Sequence, residues 1–227
     1  MNRTPEPELM QSPSQVKAYA DADFSKSDSM VVKGLEKYLK KVGRTLNKSD
    51  LIFDLACGPG NIAERLAKNW PFVNVVGIDG AKEMLNEAEK RLSKSLTKNL
   101  SYELIDINSI ASDGTHFPFK ADVLVSNSAL HHFHYPYCFW EALKKLGKTN
   151  CIHIHRDLIR PASVEKVIEL KEKHLSNSPE ILKKDFYASL KASFTVDEVT
   201  QQLVGAGFSQ LKVFQVDELY FEIIGCI

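Results

Sequence analysis

A glycine-rich turn carries the first chemical signal of this sequence. The run Asp54-Leu55-Ala56-Cys57-Gly58-Pro59-Gly60 follows a short apolar segment and precedes a helical pattern. Glycine lets the backbone approach a ligand closely, and the N-terminus of a helix offers N–H groups without partners inside the helix. The third glycine of a dinucleotide-binding turn is missing, because position 63 is Ala63. The turn therefore predicts a nucleotide-like ligand and argues against a dinucleotide.

Two acidic residues end the next apolar runs along the chain. Asp79 ends the second run, where a carboxylate can accept hydrogen bonds from both hydroxyls of a ribose. Asp106 ends the third run, where a carboxylate can accept from the exocyclic amine of an adenine while Ile107 packs on the ring. Each carboxylate could instead be a solvated group at a strand end or a helix cap. We favour the ligand roles because both residues are in register with the glycine turn.

The elements that position these residues alternate between strand and helix. Short apolar runs predict strands over residues 51–55, 73–78, 100–105, 121–126 and 151–155. Helical patterns precede or separate them over residues 14–21, 30–41, 61–69, 81–96 and 136–146. Beyond the fifth strand we predict a helix over 164–175, a polar link, a capping-box helix from Thr195 to about Ala206, and strands over 211–216 and 219–224.

This alternation predicts an α/β fold with a seven-stranded, mostly parallel sheet and helices on both faces. Little more than Asp217-Glu218 joins the last two strands, so they must form an antiparallel hairpin. Ligands of such sheets bind beyond the carboxyl ends of the strands, where the two aspartates lie. We expect residues 1–227 to form a single domain, with a helical lid over 1–44 and a helical insertion over 158–194 that contributes to a substrate cap.

Composition and charge narrow the class of partner. Lysine plus arginine and aspartate plus glutamate both number 29, so no excess of positive charge exists to neutralise a phosphate backbone, which disfavours nucleic acid. The four cysteines form no Cys-x-x-Cys pair. The N-terminus is polar and broken by prolines, and no apolar run approaches the roughly 18 residues of a membrane span. We expect a cytoplasmic protein without a membrane partner.

Four features, taken in order, resemble the class I S-adenosylmethionine-dependent methyltransferases. The glycine turn is similar to that family's first motif, and Asp79 and Asp106 match its two acidic positions. The run Ser126-Asn127-Ser128-Ala129-Leu130-His131-His132-Phe133 resembles the segment after the fourth strand in the small-molecule branch. The C-terminal hairpin matches the family's sheet edge. The resemblance spans about residues 45–227 and implies a Rossmann-like fold. Ala56 stands where glycine is common, and we expect its small side chain to be tolerated.

The resemblance implies S-adenosylmethionine as cofactor, with S-adenosylhomocysteine as its product. A methyl group then leaves a sulfonium in an in-line displacement. The expected cofactor-binding residues are Tyr19 of the lid together with Asp54, Ala56, Cys57, Gly58, Gly60, Asp79, Gly80, Met84, Asp106, Ile107, Asn127 and Ser128. Three further runs are similar to a bacterial subgroup of the family, and the resemblance assigns no substrate to that subgroup. The runs are Pro5-Glu6-Pro7-Glu8-Leu9-Met10, Ala20-Asp21-Ala22-Asp23-Phe24 and Asp185-Phe186-Tyr187-Ala188-Ser189-Leu190.

Two neighbouring histidines are the candidate general bases. His131 and His132 follow the fourth strand at the expected acceptor side, and histidine titrates near working pH. One of them could instead pack against the cofactor or cap the next helix. Tyr187 is a third catalytic candidate, which could equally pack the core of the cap. With His134 the pair does not predict a metal site, because no carboxylate or cysteine close by in the sequence completes a ligand set.

Two arginines after the fifth strand are candidates for binding the acceptor. Arg156 and Arg160 could hold a carboxylate or phosphate through paired hydrogen bonds, or could form an internal pair with Asp157 that holds the loop. The run Ser126-Asn127-Ser128-Ala129 is not the Asn/Asp-Pro-Pro-Tyr/Phe pattern associated with nucleobase or glutamine amino groups. Together with the neutral charge, this favours a small-molecule acceptor.

Two other classes of function stay open at this point. A methyltransferase-like accessory subunit without its own turnover would keep the same cofactor residues. A nicotinamide-dependent oxidoreductase has a similar fold, but the missing third glycine and the C-terminal hairpin argue against it. The sequence does not identify the acceptor or the atom that is methylated, and it leaves a homodimer open.

Overall fold

The computed structural model describes residues 1–7, 9–112 and 119–227, so Glu8 lies outside the described residues. The strands form one sheet in the order β3-β2-β1-β4-β5-β7-β6. Strands β1 to β5 run parallel, and β7 is antiparallel to both β5 and β6. This confirms the predicted seven-stranded, mostly parallel sheet with a C-terminal antiparallel hairpin. The strands are β1 (Leu51–Leu55), β2 (Asn74–Asp79), β3 (Leu100–Leu104), β4 (Ala121–Asn127), β5 (Gly147–Leu158), β6 (Lys212–Gln215) and β7 (Tyr220–Cys226).

Helices occupy most of the connections between the strands. Within the described ranges, no helix is both long and apolar enough to cross a membrane. The helices are α1 (Pro13–Asp21), α2 (Ser25–Val42), α3 (Asn61–Asn69), α4 (Lys82–Leu92), α5 (Ile107–Ser112), α6 (Pro136–Leu146), α7 (Val164–Leu175), α8 (Glu180–Ala192) and α9 (Val196–Gly205), and a short 3-10 turn spans Leu130–His132.

Two hydrophobic clusters cover the two faces of the sheet. Successive side chains of a strand point to opposite faces, so Ile52 and Phe53 of β1 enter different clusters. Phe53 packs in a cluster with Leu143 of α6, while Ile52 packs in one with Leu35 of α2 and Leu66 of α3. The predicted placement of helices on both faces is therefore confirmed.

The segment predicted as a polar link contains a full helix. Helix α8 begins directly after Pro179, and only a few of its side chains are buried, among them Leu182 and Leu190. These two leucines lie two turns apart on one face, and the charged residues between them hide the helical period. Helix α5, directly after Asp106, was not predicted either, because it is only 6 residues long.

Helix α2 belongs to the layers around the sheet. It begins at Ser25, earlier than predicted, and ends at Val42. The C-cap residue that follows, Gly43, has a φ of 67°. Val31 and Leu35 are fully buried in the cluster shared with α3. The prediction of a lid over residues 1–44 is therefore wrong for α2, of which only the first turns reach the ligand cavity described below.

The first residues of the chain, 1–7 and 9–12, form an extended segment that we call the N-terminal strap. One guanidinium nitrogen of Arg3 donates to the backbone carbonyls of His131 and Phe133, both at 2.9 Å. Its Nε donates to the carbonyl of Ala192 at 2.5 Å, and its charge lies 4.1 Å from the ring centre of Phe194. Arg3 thus fastens the strap to α8 and to the segment after β4.

The turn between β1 and α3 depends on residues in the left-handed region. Ala56, Gly58 and Gly60 have φ values of 52°, 54° and 81°. A Cβ on Gly60 would overlap the hydroxyl of Tyr102 and lie 2.8 Å from its Cζ. Glycine is therefore required at position 60 for two independent reasons. At Ala56 the left-handed conformation costs a non-glycine residue about 1–2 kcal/mol, so alanine is present there under strain.

We predict that Arg3→Met lowers the free energy of unfolding by about 1–3 kcal/mol, because three backbone carbonyls lose a charged donor. Urea denaturation measures the loss, and limited proteolysis should show earlier cleavage within the strap. Lys17→Met is the matched control, since Lys17 forms only an exposed pair with Asp21. Equal stability of the two variants would contradict the proposed role of Arg3.

We predict that Gly60→Ala destabilises the protein by about 2–5 kcal/mol, from left-handed strain plus overlap with Tyr102. Adding Tyr102→Ala to this variant relieves the overlap and leaves the strain. Gly205→Ala is the control, because Gly205 has open space around its Cβ position and lies in α9, where alanine is favoured. Thermal melts of the four proteins give the comparison, and a Gly60→Ala melt like that of Gly205→Ala would refute the interpretation.

Candidate active site

A cavity of about 1370 Å³ lies beyond the carboxyl ends of the central strands. Asp54, Asp79 and Asn127 line it from the ends of β1, β2 and β4. Tyr19 of α1 and Ser189 of α8 line it from the opposite side. Pockets for one small ligand have volumes of roughly 300–1,000 Å³, so this cavity has room for two ligands side by side.

The carboxylate of Asp79 joins two loops at the floor of the cavity. One oxygen accepts a hydrogen bond from the backbone N–H of Gly58 at 2.7 Å, and the other accepts from that of Ala81 at 2.7 Å. Burial raises the pKa of Asp79, although these backbone donors oppose the shift. Asp79 therefore fixes the glycine turn relative to the start of α4, and it lines the cavity where a ribose was predicted.

Three carboxyl groups converge at this end of the cavity. Burial raises the pKa of Asp54 well above its usual range, and the charges of Asp79 and Asp28 add to the shift. Burial also raises the pKa of Asp28 to about 6, against the attraction of Arg65 at 3.7 Å. One oxygen of Asp54 and one of Asp28 have no hydrogen-bond partner among the described residues. A cationic group of a ligand placed here would offset the cost of ionising these buried carboxyls.

The sequence interpretation did not identify Asp28, although a signal was present. Asp28 lies on the same helical face as Val31, Val32 and Leu35, which are buried. An acidic residue on the buried face of an amphipathic helix is a candidate functional group, because burying a charge is costly.

The predicted adenine side is the more open end of the cavity. Asp106 is exposed, and its carboxylate accepts from the backbone N–H of Asn108 at 2.9 Å, as a helix cap does. Ile107 and Met84 are buried and line the cavity together with Gly80. The apolar side chains can pack on a planar ring, while the capping bond leaves the second carboxylate oxygen of Asp106 available.

Several other predicted cofactor residues lie at the cavity, with one exception. Ala56, Cys57, Gly58, Ser128 and Tyr19 all line it. Gly60 does not line the cavity and instead forms the N-cap of α3.

His131 is held between two carboxylates. Its Nδ1 lies 2.5 Å from Oδ1 of Asp157, and its Nε2 lies 3.3 Å from Oε1 of Glu6. Burial disfavours the charged ring, but Asp157 and Glu6 outweigh burial and raise the pKa of His131 to about 10. With no other cation at Nε2, this shift favours the protonated ring, so His131 is the poorer of the two candidate bases.

His132 has the opposite character. Burial and the neighbouring charge of His131 lower the pKa of His132 to about 4, and the two rings stack with their centres 4.3 Å apart. The neutral ring keeps a lone pair at neutral pH. Of the two predicted bases, His132 is therefore the one that is free to accept a proton, although a pKa this low makes it a weak base.

Arg156 lines the cavity, as predicted, beneath the end of β7. Its guanidinium lies 4.2 Å from the ring centre of Tyr220, and one nitrogen lies 3.3 Å from a carboxylate oxygen of Asp217. Nε and the second terminal nitrogen of Arg156 are buried without a partner among the residues described, as is Oδ1 of Asn127. These atoms are the polar groups left for an acceptor at this wall.

Two predicted site residues lie elsewhere. Arg160 donates to both carboxylate oxygens of Glu198, at 2.9 and 2.7 Å, and its side chain does not line the cavity. Tyr187 packs in the cluster of α7 and α8 with the ammonium of Lys191 over its ring. Arg160 therefore holds the start of α9, and Tyr187 packs the core of the cap, so neither lies at the cavity as their predicted site roles require.

Glu6 is a site residue that the sequence interpretation missed. Its carboxylate lies 3.3 Å from His131 and 3.5 Å from His132, and Ser189 donates to it at 3.0 Å. The argument against a metal site assumed that no carboxylate accompanies the histidines, and the strap supplies one. No local pattern in the polar, proline-broken N-terminus points to this contact.

Comparisons with known proteins identify the family of the chain. The chain matches the family model described as a methyltransferase domain over residues 46–207. It is 49% identical over 41 residues to a trans-aconitate 2-methyltransferase of Afipia carboxidovorans. That match covers 18% of this chain and 16% of the relative, so the chain matches only a small part of that protein's length.

Solved structures share the fold over nearly the whole chain. An S-adenosylmethionine-dependent methyltransferase from Aquifex aeolicus superposes with a TM-score of 0.66 at 20% identity, covering 96% of this chain and 100% of that one. A plantazolicin methyltransferase, solved in complex with a triazolic desmethyl analogue and S-adenosylhomocysteine, has a TM-score of 0.69 at 17% identity, covering 93% and 90%. With the family match extending over more than half of its residues, the chain belongs to the methyltransferase domain family and has its class I, Rossmann-like fold.

Proposed function

We propose that the protein transfers the methyl group of S-adenosylmethionine to a small-molecule acceptor. The observation that carries the proposal is the placement of Asp79, which ties the glycine turn to α4 and lies at the wall of a cavity large enough for two ligands. When bound, S-adenosylmethionine supplies a methyl group already activated on a sulfonium.

The residues at the cavity fit this cofactor. Asp79 would hold the ribose hydroxyls, while Asp106 would accept from the adenine amine with Ile107 packed on the ring. The unpaired oxygens of Asp54 and Asp28 support an electrostatic site for the cationic methionine end, with Tyr19 closing over it. Three buried carboxyls without enough cations of their own are costly in a cavity that binds only neutral ligands.

The contribution of the protein to methyl transfer is positioning and exclusion of water. The strap, α1 and α8 cover the cavity on the side away from the sheet. A hydroxyl or protonated amine acceptor would also need a base, and neutral His132 is the candidate at the acceptor side. A carboxylate acceptor is already ionised and would need only a partner for its charge.

Arg156 supports an acidic acceptor as the finer proposal. Two of its guanidinium nitrogens are buried at the cavity without a partner in the described part of the chain, and buried charged donors are costly when unpaired. A carboxylate is the group that a guanidinium binds best. The relative from Afipia is named for methylating such an acid, trans-aconitate.

The remaining expectations stay predictions from the sequence. These are a cytoplasmic location, the lack of a nucleic-acid partner and a homodimer. An accessory subunit without turnover is the second candidate function, and it would bind the cofactor equally well. A nicotinamide-dependent oxidoreductase is the third, and preferential binding of a dinucleotide would favour it.

We predict that Asp79→Asn weakens binding of S-adenosylhomocysteine by about 10–100-fold, because one backbone donor then faces an amide N–H in place of a carboxylate oxygen. Isothermal titration calorimetry measures the affinity. Asp197→Asn, at an exposed position of α9, is the matched control. Unchanged affinity in Asp79→Asn, with wild-type stability, would contradict the cofactor site.

We predict that Arg156→Met reduces methyl transfer to a carboxylic acid by at least about 10-fold while affinity for S-adenosylhomocysteine is kept. The assay measures S-adenosylhomocysteine release with trans-aconitate and related di- and tricarboxylates as acceptors, and Arg156→Lys should retain part of the rate. If no carboxylate is methylated although the cofactor binds, the acidic acceptor is wrong and the cofactor site stands. If turnover is absent with all acceptors, the accessory subunit is favoured.

A further inference from the structure

Three potential metal ligands meet at the wall of the cavity next to the acceptor side. They are the Glu6 carboxylate, His131 Nε2 and His132 Nδ1, and all of these atoms lie within 4.8 Å of one another. The Glu6 and His131 side chains are 9% and 2% exposed, so both polar groups are largely withdrawn from water. Burying three polar groups together costs free energy unless they have hydrogen-bond partners or bind an ion.

The distances between these atoms match the edges of a coordination polyhedron. Oε1 of Glu6 lies 3.3 Å from Nε2 of His131 and 3.5 Å from Nδ1 of His132. Tetrahedral zinc with bonds of about 2.0–2.2 Å places neighbouring ligand atoms about 3.3–3.5 Å apart. Two of the three edges therefore already have the length that a bound ion requires.

The environment of His131 also fits a metal ligand. Its Nδ1 is engaged by Asp157, which leaves Nε2 directed toward Glu6. Asp157 is fixed in turn, because it accepts from the backbone N–H groups of His131 at 3.1 Å and Leu158 at 2.6 Å. A carboxylate behind a histidine is the usual arrangement at protein metal sites, where it orients the ring.

His132 provides independent evidence that the cluster can bind an ion. Its Nδ1 is buried without a hydrogen-bond partner in the described part of the chain, and it faces a carboxylate oxygen of Glu6 at 3.5 Å. In the tautomer that carries its proton on Nε2, the Nδ1 lone pair beside this carboxylate is free to bind a cation.

We propose that Glu6, His131 and His132 bind one divalent transition-metal ion, with zinc as the preferred ion. Two nitrogen ligands and one carboxylate leave at least one coordination position, and all three residues line the cavity. That position can take an oxygen of an acceptor, which would make the ion an anchor for the acceptor. Metal binding itself does not depend on the proposed methyl transfer.

Titration of the tag-free 227-residue chain with Zn²⁺ tests the proposal. We expect one equivalent to bind, and Glu6→Gln and His132→Gln each to weaken binding at least about 100-fold, because each removes one of three ligands. Asp157→Asn should weaken it about 10–100-fold, as loss of an orienting carboxylate does. Substitution with Co²⁺ should give visible absorption of a nitrogen- and oxygen-ligated ion, absent in His132→Gln.

His174→Gln is the matched control, because His174 is a histidine of α7 that pairs with Glu218 at 3.0 Å and is not one of the three clustered ligands. It should bind Zn²⁺ like the wild type. Thermal melts verify that Glu6→Gln remains folded, and Ser189 can still donate to the amide oxygen in this variant. Failure of the wild type to bind one equivalent, or equal affinity in Glu6→Gln and His174→Gln, would overturn the proposal and leave a proton-linked cluster.

Discussion

The two hydrogen bonds that Asp79 accepts from backbone donors set the geometry of the cofactor end. Gly58 belongs to the turn after β1, and Ala81 precedes α4 after β2. One carboxylate therefore fixes two loops that the parallel pairing of β1 and β2 brings to the same edge. The left-handed residues of the glycine turn are needed because the Gly58 N–H must point at this carboxylate. The sheet supplies the edge, and Asp79 makes the edge a defined ligand surface.

The end of the cavity near His131 and His132, where we propose that the acceptor binds, depends on contacts between segments that are distant in sequence. Asp157 at the end of β5 fixes His131, but Glu6 and Arg3 come from the strap and reach over more than a hundred residues of sequence. Arg3 donates to carbonyls of α8 and of the segment after β4, and Glu6 contacts the histidines directly. Local contacts therefore shape the cofactor end, whereas docking of the strap completes the acceptor end.

This difference explains what the sequence could and could not predict. Asp79 and Asp106 were identifiable because parallel strands bring their carboxyl ends together whatever the remaining structure is. Arg160 and Tyr187 were misplaced because their partners, Glu198 and Lys191, depend on how α8 and α9 pack. Glu6 lies in a run that resembles a family subgroup, but its contact with the histidines was not predictable, since no periodic pattern places a polar segment against a cavity. The fold and the residues at the strand ends follow from short-range patterns, and residues supplied by distant segments do not.

The strap also links ligand binding to the state of the cap. Its described residues include few buried side chains, so its docking rests on polar contacts such as those of Arg3 and Glu6. Any ligand or ion that contacts Glu6 binds only the docked state, and it therefore stabilises that state in proportion to its differential affinity. A strap held by many weak polar bonds can release for acceptor exchange more easily than one held by a buried apolar core. The residues that complete the acceptor end are thus also those that can control access to it.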